Sequence, residues 1–110
     1  MKLPDPEHAV VDVRKLRDYI LSPTHPRGRH KAPVFENALG LTQYDAETLR
    51  TALLQAARSY DAEPKEADGH GRRYVIEFEM THRGKRAIIH SGWIVRADED
   101  FARLTTCYVV

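Results

Sequence analysis

Between Thr24 and Lys31 the chain runs Thr24-His25-Pro26-Arg27-Gly28-Arg29-His30-Lys31, placing two histidines, two arginines and a lysine within eight residues. Cationic side chains beside the free backbone N–H groups of a helix start are what an anion needs, a phosphate above all. Imidazole adds a group that moves protons near neutral pH. A solvated basic loop whose histidines cap backbone carbonyls has the same composition, and the residues by themselves leave both readings open.

Other reactive residues point to less. His25 and His30 lie five apart in a Pro/Gly-rich loop, and the remaining histidines are scattered, with no His-x-x-x-His and no cysteine pair. That is a poor ligand pattern, so no metal is expected. Cys107 stands between Thr106 and Tyr108 in an apolar strand, the setting of a small core hydrophobe and not of an activated thiol. Glu77 and Glu79 are two apart on one strand face and read as solvent-facing. Strict alternation in the last strand puts Arg103, Thr105 and Cys107 on one face and Leu104, Thr106, Tyr108 and Val110 on the other. With His90 and Arg96 on the strand before it, such a face could hold an RNA backbone, Trp93 or Tyr108 stacking on a base. The plainer reading is the wet face of a two-layer domain.

The elements that must position these groups follow from periodicity. Residues 9–21 carry Val10, Val13, Leu16 and Ile20 at helical spacing, and Ser22-Pro23 ends that helix. The prolines and glycine of residues 22–31 predict an irregular loop. A second helix spans Lys31 to Leu39, closed by Gly40, with Val34, Phe35 and Leu39 inward. Thr42 and Asp45 resemble a capping box, opening a third helix over roughly 43–59 with Leu49, Leu53, Ala56 and Ala57 buried. Residues 61–71 read as a polar loop. From Arg72 the period drops to two: strands over 72–80, 86–95 and 103–110 are joined by a hairpin at 81–85 and a turn at 97–100, and a short fourth strand is expected beside the 61–71 loop. The expectation is α+β: about three N-terminal helices packed on one face of a three- to four-stranded antiparallel sheet.

The 110 residues allow a single domain, 1–110, with a helical half at about 8–60 and a β-meander at about 72–110. A hydrophobic share of 42% with 30% charged residues excludes a disordered tail. Seventeen Lys and Arg against 16 Asp and Glu leave a net charge of +1, so any nucleic-acid contact must rest on a local patch. A lone cysteine closes no internal disulfide. No apolar run reaches the roughly 20 residues of a membrane span, and the N-terminus lacks the apolar core of a signal peptide. A cytoplasmic location without a membrane partner is therefore the expectation.

The segment Tyr19, Leu21, His25-Pro26, Gly28, Lys31-Ala32 and Phe35, followed by Leu39-Gly40, resembles the opening of a bacterial family, domain of unknown function 6883, with the pattern Y-x-L-x-x-x-H-P-x-G-x-x-K-A-x-x-F. The likeness continues through Gly71-Arg72-Arg73-Tyr74, Ser91-Gly92-Trp93-Ile94-Val95 and Arg103-Leu104-Thr105-Thr106-Cys107-Tyr108-Val109, nearly the whole chain. Related domains look like toxin modules of bacterial polymorphic and contact-dependent systems, grouped with barnase, EndoU, colicin and RelE-like ribonucleases. The resemblance implies helices before a four-stranded antiparallel sheet, and metal- and cofactor-free cleavage of tRNA-like RNA through 2′-OH attack on the adjacent phosphate. By position, His25 would be the general acid or base, with His30 as an alternative. Lys31 would stabilise the phosphate, with Arg73 or Arg103 as a second cation, and Thr105 or Thr106 would position a phosphate oxygen. Arg27, Arg29, His30, Trp93, Arg96 and Tyr108 would contact RNA. A small antitoxin or immunity-type protein is the implied protein partner. The rivals are a non-catalytic interaction module or toxin–antitoxin partner, marked by an exposed apolar patch on the sheet, and a nucleic-acid binder without cleavage.

Overall fold

In the computed structural model, which describes residues 1–110, Asp12 sets the start of the first helix. Its carboxylate accepts the Arg14 amide at 3.0 Å, the usual N-cap arrangement. Helix α1 therefore covers 13–20 and does not begin at residue 9. Val10 is extended: its amide donates to the Ala102 carbonyl at 2.9 Å and its carbonyl accepts from the Leu104 amide at 3.0 Å. An α-helical turn, Val13–Lys15, passes into π-helical Leu16–Ile20, where the Leu21 amide reaches the Leu16 carbonyl at 2.8 Å. Leu16 and Ile20 are fully buried.

Helix α2, Ala32–Leu39, buries Ala32, Phe35 and Leu39 and stops at Gly40, whose φ of +67° is the left-handed cap expected of a glycine there. Val34 does not turn inward; it is 46% exposed, one position off the 32–35–39 stripe. The side chains of Lys85 and His82 meet the carbonyls of Asn37 and Leu39 at 3.1 and 2.7 Å, so the β-hairpin ties down the last turn of α2. The capping box at Thr42 and Asp45 is present, opening a 3₁₀ turn, Gln43–Asp45, before helix α3, Ala46–Ser59. Leu49, Leu53, Ala56 and Ala57 are its buried stripe.

Four antiparallel strands follow in chain order: β1 Glu63–Asp68, β2 Gly71–His82, β3 Lys85–Arg96 and β4 Ala102–Val109. The fourth strand is β1, and it occupies the stretch expected as a polar loop. All six of its residues are exposed, so it carries no alternation to reveal it and is held by pairing with β2. Arg83 and Gly84, with φ of 50° and 79°, make the two-residue turn that suits the twist of a hairpin. That turn fixes the β2–β3 register, with Glu77 opposite His90 and Val75 opposite Gly92.

One face of the sheet, carrying Tyr74, Ile76, Phe78, Met80, Ile89, Trp93, Leu104 and Cys107, joins the buried helix residues in a single core cluster. The other face has no layer over it. β4 corrects the strict alternation: its register slips between Gly92 and Trp93, which face Thr106 and Leu104, leaving Thr105 as the extra residue of a bulge. After the bulge the parity inverts. Leu104 and Cys107 both point to the core, and Thr106 and Tyr108 stand on the open face opposite Gly92 and His90.

Candidate functional site on the open sheet face

β4 is an edge strand. Its first half is shielded by the bridge between Val10 and Arg103; its second half is bare. Lys31, just ahead of α2, comes round that bare edge, and its Nζ donates to Thr106 Oγ1 at 2.7 Å while standing 6.0 Å from the Tyr108 ring centroid. Tyr108 also meets His90, the two rings stacked with centroids 4.6 Å apart and planes 15° from parallel. His90 Nδ1 in turn lies 2.9 Å from Glu77 Oε2. Ammonium, hydroxyl, phenol, imidazole and carboxylate thus form one continuous strip across β4, β3 and β2.

Gly92 opens the floor of this strip. A Cβ there would lie 2.9 Å from Thr105 Oγ1 and 3.4 Å from Thr106 Cγ2, so the bulge brings both threonines over the one position on β3 that lacks a side chain. Thr105 and Thr106, alternatives on the sequence, are brought together.

The basic loop is built more firmly than its composition predicts. Ser22 Oγ accepts the amides of Thr24 and His25, and residues 28–30 form a 3₁₀ turn leading into α2, where an irregular loop was expected. A Cβ on Gly28 would sit 1.8 Å from the Tyr19 carbonyl oxygen, so only glycine lets the loop lie against the π-helical end of α1. The His25 ring packs on Tyr19, centroids 4.3 Å apart. Its Nδ1 accepts the amides of Arg27 at 3.0 Å and Gly28 at 3.2 Å, which fixes the neutral tautomer with the proton on Nε2. In that state the ring donates through Nε2 and cannot accept there. Arg27, Arg29 and His30 are exposed on the same loop.

The remaining predicted site residues lie elsewhere. Trp93 is 1% exposed, with Nε1 donating to Ser91 Oγ at 2.9 Å. Its ring offers no face to a base because odd positions of β3 point into the core. Arg73 pairs with Asp68 at 3.5 Å, and the His70 amide, helped by Arg73, holds the Asp68 carboxyl below the usual carboxylate range. Arg103 forks onto Glu99 at 2.7 and 2.9 Å and lies 5.0 Å over the Phe101 ring; its hydrogen bonds hold Glu99 below the ordinary carboxylate value. Arg96 stands 4.0 Å from the same carboxylate. These three arginines are occupied by neighbouring acids at the 68–73 and 96–103 end of the sheet. Cys107 is buried, and that burial pushes its thiol up to about 12, so it stays protonated and inert at neutral pH. Nowhere do three His, Cys, Asp or Glu side chains gather as metal ligands would. Glu77 and His90 are the pair that sequence reasoning passed over as a unit, although the hairpin turn already places them opposite each other.

In fold the chain is similar to a chain of a contact-dependent growth inhibition toxin–immunity protein complex from Klebsiella pneumoniae 342, at a TM-score of 0.71 and 20% identity, over 92% of this chain and 99% of that one. No curated protein sequence matches it. The helices-then-meander order, the His25-to-Lys31 loop and the Thr105-Thr106 segment all lie within residues 2–110, which match the family described as Domain of unknown function (DUF6883), and the chain belongs to that family.

Proposed function

We propose that the chain is a metal-independent endoribonuclease of the bacterial toxin type, cleaving tRNA-like RNA by attack of a 2′-OH on the adjacent phosphate. The observation that carries this reading is the Lys31–Thr106 contact: a cation and a hydroxyl 75 positions apart in sequence meet at 2.7 Å beside an exposed basic loop. Phosphoryl transfer from RNA needs cations and hydrogen-bond donors aimed at the oxygens on which charge develops. Lys31 Nζ and the two threonine hydroxyls supply such donors, and Arg27 and Arg29 supply the local field that draws in the backbone. His25, held as an Nε2–H donor, serves here as a phosphate contact and not as the base. One chain of a toxin–immunity protein complex shares this fold, and the reading adds a partner of that kind: an acidic immunity-type protein that covers the basic loop and the open face.

The test is incubation of the purified chain with bulk tRNA and a short oligoribonucleotide in EDTA. The expected products end in 2′,3′-cyclic phosphate. Lys31→Gln lowers the rate by about 10²–10³-fold, the usual loss when one donor to a developing oxyanion is removed. RNA that stays intact but binds with a steep salt dependence would turn the reading to a binder without cleavage.

A further inference from the structure

His25, on the basic loop, and His90, on the strip, are held through opposite hydrogen-bonding roles of Nδ1. His25 accepts two backbone amides at Nδ1 and keeps its proton on Nε2. His90 faces the Glu77 carboxylate with Nδ1 at 2.9 Å. A carboxylate only accepts, so Nδ1 carries a proton, and in the neutral ring Nε2 is left with the lone pair. A ring held by an acid on one nitrogen and unprotonated on the other is built to take up a proton. Its plane is fixed by the Tyr108 stack, and 23% of the His90 side chain is exposed to solvent.

His90 and Glu77 also border an open hollow of about 570 Å³ between the open face and β1. Its other charged groups are mutually paired: Lys65 with Glu63 at 2.9 Å, and the Met1 amino group with Asp61 at 3.5 Å. On the β4 side stand Tyr108, stacked on the ring, and Lys31, 6.0 Å from the Tyr108 centroid. Glu77 is therefore the acid that orients His90.

Building on the proposed ribonuclease reading, we infer that His90 is the general base of the reaction, oriented by Glu77, with an RNA strand lying across the strands from the Lys31–Thr106 corner to the hollow beside β1. His90 Nε2 takes the proton of the 2′-OH as the O2′–P bond forms. The P–O5′ bond breaks, and the departing 5′-oxygen takes a proton from water. The hydroxide left behind is neutralised by the proton that His90 then releases, so the net change is one proton moved from O2′ to O5′. Glu77 is a positioning residue that acts through the imidazole.

The test is kcat/KM against pH on a defined oligoribonucleotide, with wild type, His90→Gln, His90→Ala and Glu77→Gln compared at matched folding by circular dichroism. His90→Gln is expected to lose about 10²–10⁴-fold, the range for a general base, together with the acid limb of the profile. Glu77→Gln shows a smaller loss and a displaced acid limb, which a merely structural acid would not produce. Added imidazole restores part of the rate to His90→Ala. If wild type cleaves and His90→Gln keeps both rate and acid limb, this assignment of the base is wrong while the ribonuclease reading stands. Intact RNA with wild type overturns both.

Discussion

Ser91 is the most consequential hydroxyl under the candidate site. It is fully buried, donates to the Ile76 carbonyl at 2.8 Å and accepts from Trp93 Nε1 at 2.9 Å. Ser91→Ala removes the only acceptor that the indole has. A buried donor left unpaired costs about 1–3 kcal/mol, and the lost hydroxyl–carbonyl bond about 1 kcal/mol more. The expected destabilisation is about 2–4 kcal/mol, a large share of the roughly 5–15 kcal/mol typical of a domain. At this chain length it lowers Tm by about 8–16 °C. Urea unfolding followed by the fluorescence of Trp93, the single tryptophan, measures it directly. Trp93→Phe removes the donor, so in a double-mutant cycle, read by circular dichroism, the second substitution costs at least about 1 kcal/mol less than alone. A Ser91→Ala midpoint within about 0.5 kcal/mol of wild type, or strict additivity, would refute the role given to this hydrogen bond.

Gly28→Ala forces a Cβ to 1.8 Å from a backbone oxygen of Tyr19; the loop must lift, with a loss of about 1–3 kcal/mol and faster trypsin cleavage at Arg27 and Arg29. Gly92→Ala meets a rotatable hydroxyl instead, so its stability stays within about 1 kcal/mol of wild type while RNA cleavage falls because Thr105 is turned aside. Glu99 titrates below its ordinary 4.5 in the fold because of Arg103. Its contribution to stability is therefore complete above that pH and is lost as pH falls through the lower folded value. Melting curves of wild type and Glu99→Gln should differ at pH 6 and draw together as pH falls well below 4.5; a pH-independent difference counts against the ion pair. The Cys107 thiol, held at about 12 by burial, should react with Ellman's reagent at pH 8 only as fast as the protein unfolds, and rapid labelling of the folded protein would show that its strand opens locally.

The fold was legible wherever one face of an element is buried. Helices α2 and α3 and strands β2 and β3 follow from the spacing of Phe35 and Leu39, Leu49 and Leu53, and Tyr74 to Met80, because burial on one side imposes that spacing. What escaped has no such face. A fourth strand is expected from the sequence but its place is not legible there: β1 is exposed at all six positions and exists through its ladder to β2. Val10 has the helical period but spends its backbone groups on β4, a tertiary choice that the local pattern does not encode. The Thr105 bulge also leaves no mark on propensity, yet it exchanges the faces of every residue after it.

The site divides along the same line. Lys31 and the threonines were readable as residue types, but their meeting depends on the bulge and on a bare strand edge. Glu77 and His90 required only the turn. A two-residue connection at Arg83-Gly84 pairs His82 with Lys85, and each step back along β2 is a step forward along β3, which arrives at Glu77 opposite His90. Reading 81–85 as a connection of open length forfeits that register and leaves two apparently unrelated polar residues. A tight hairpin turn sets the register of both strands it joins. A carboxylate and an imidazole directly opposed on an unlayered sheet face are worth looking for in any meander whose tight turn can be located, because the pairing follows from the turn length alone.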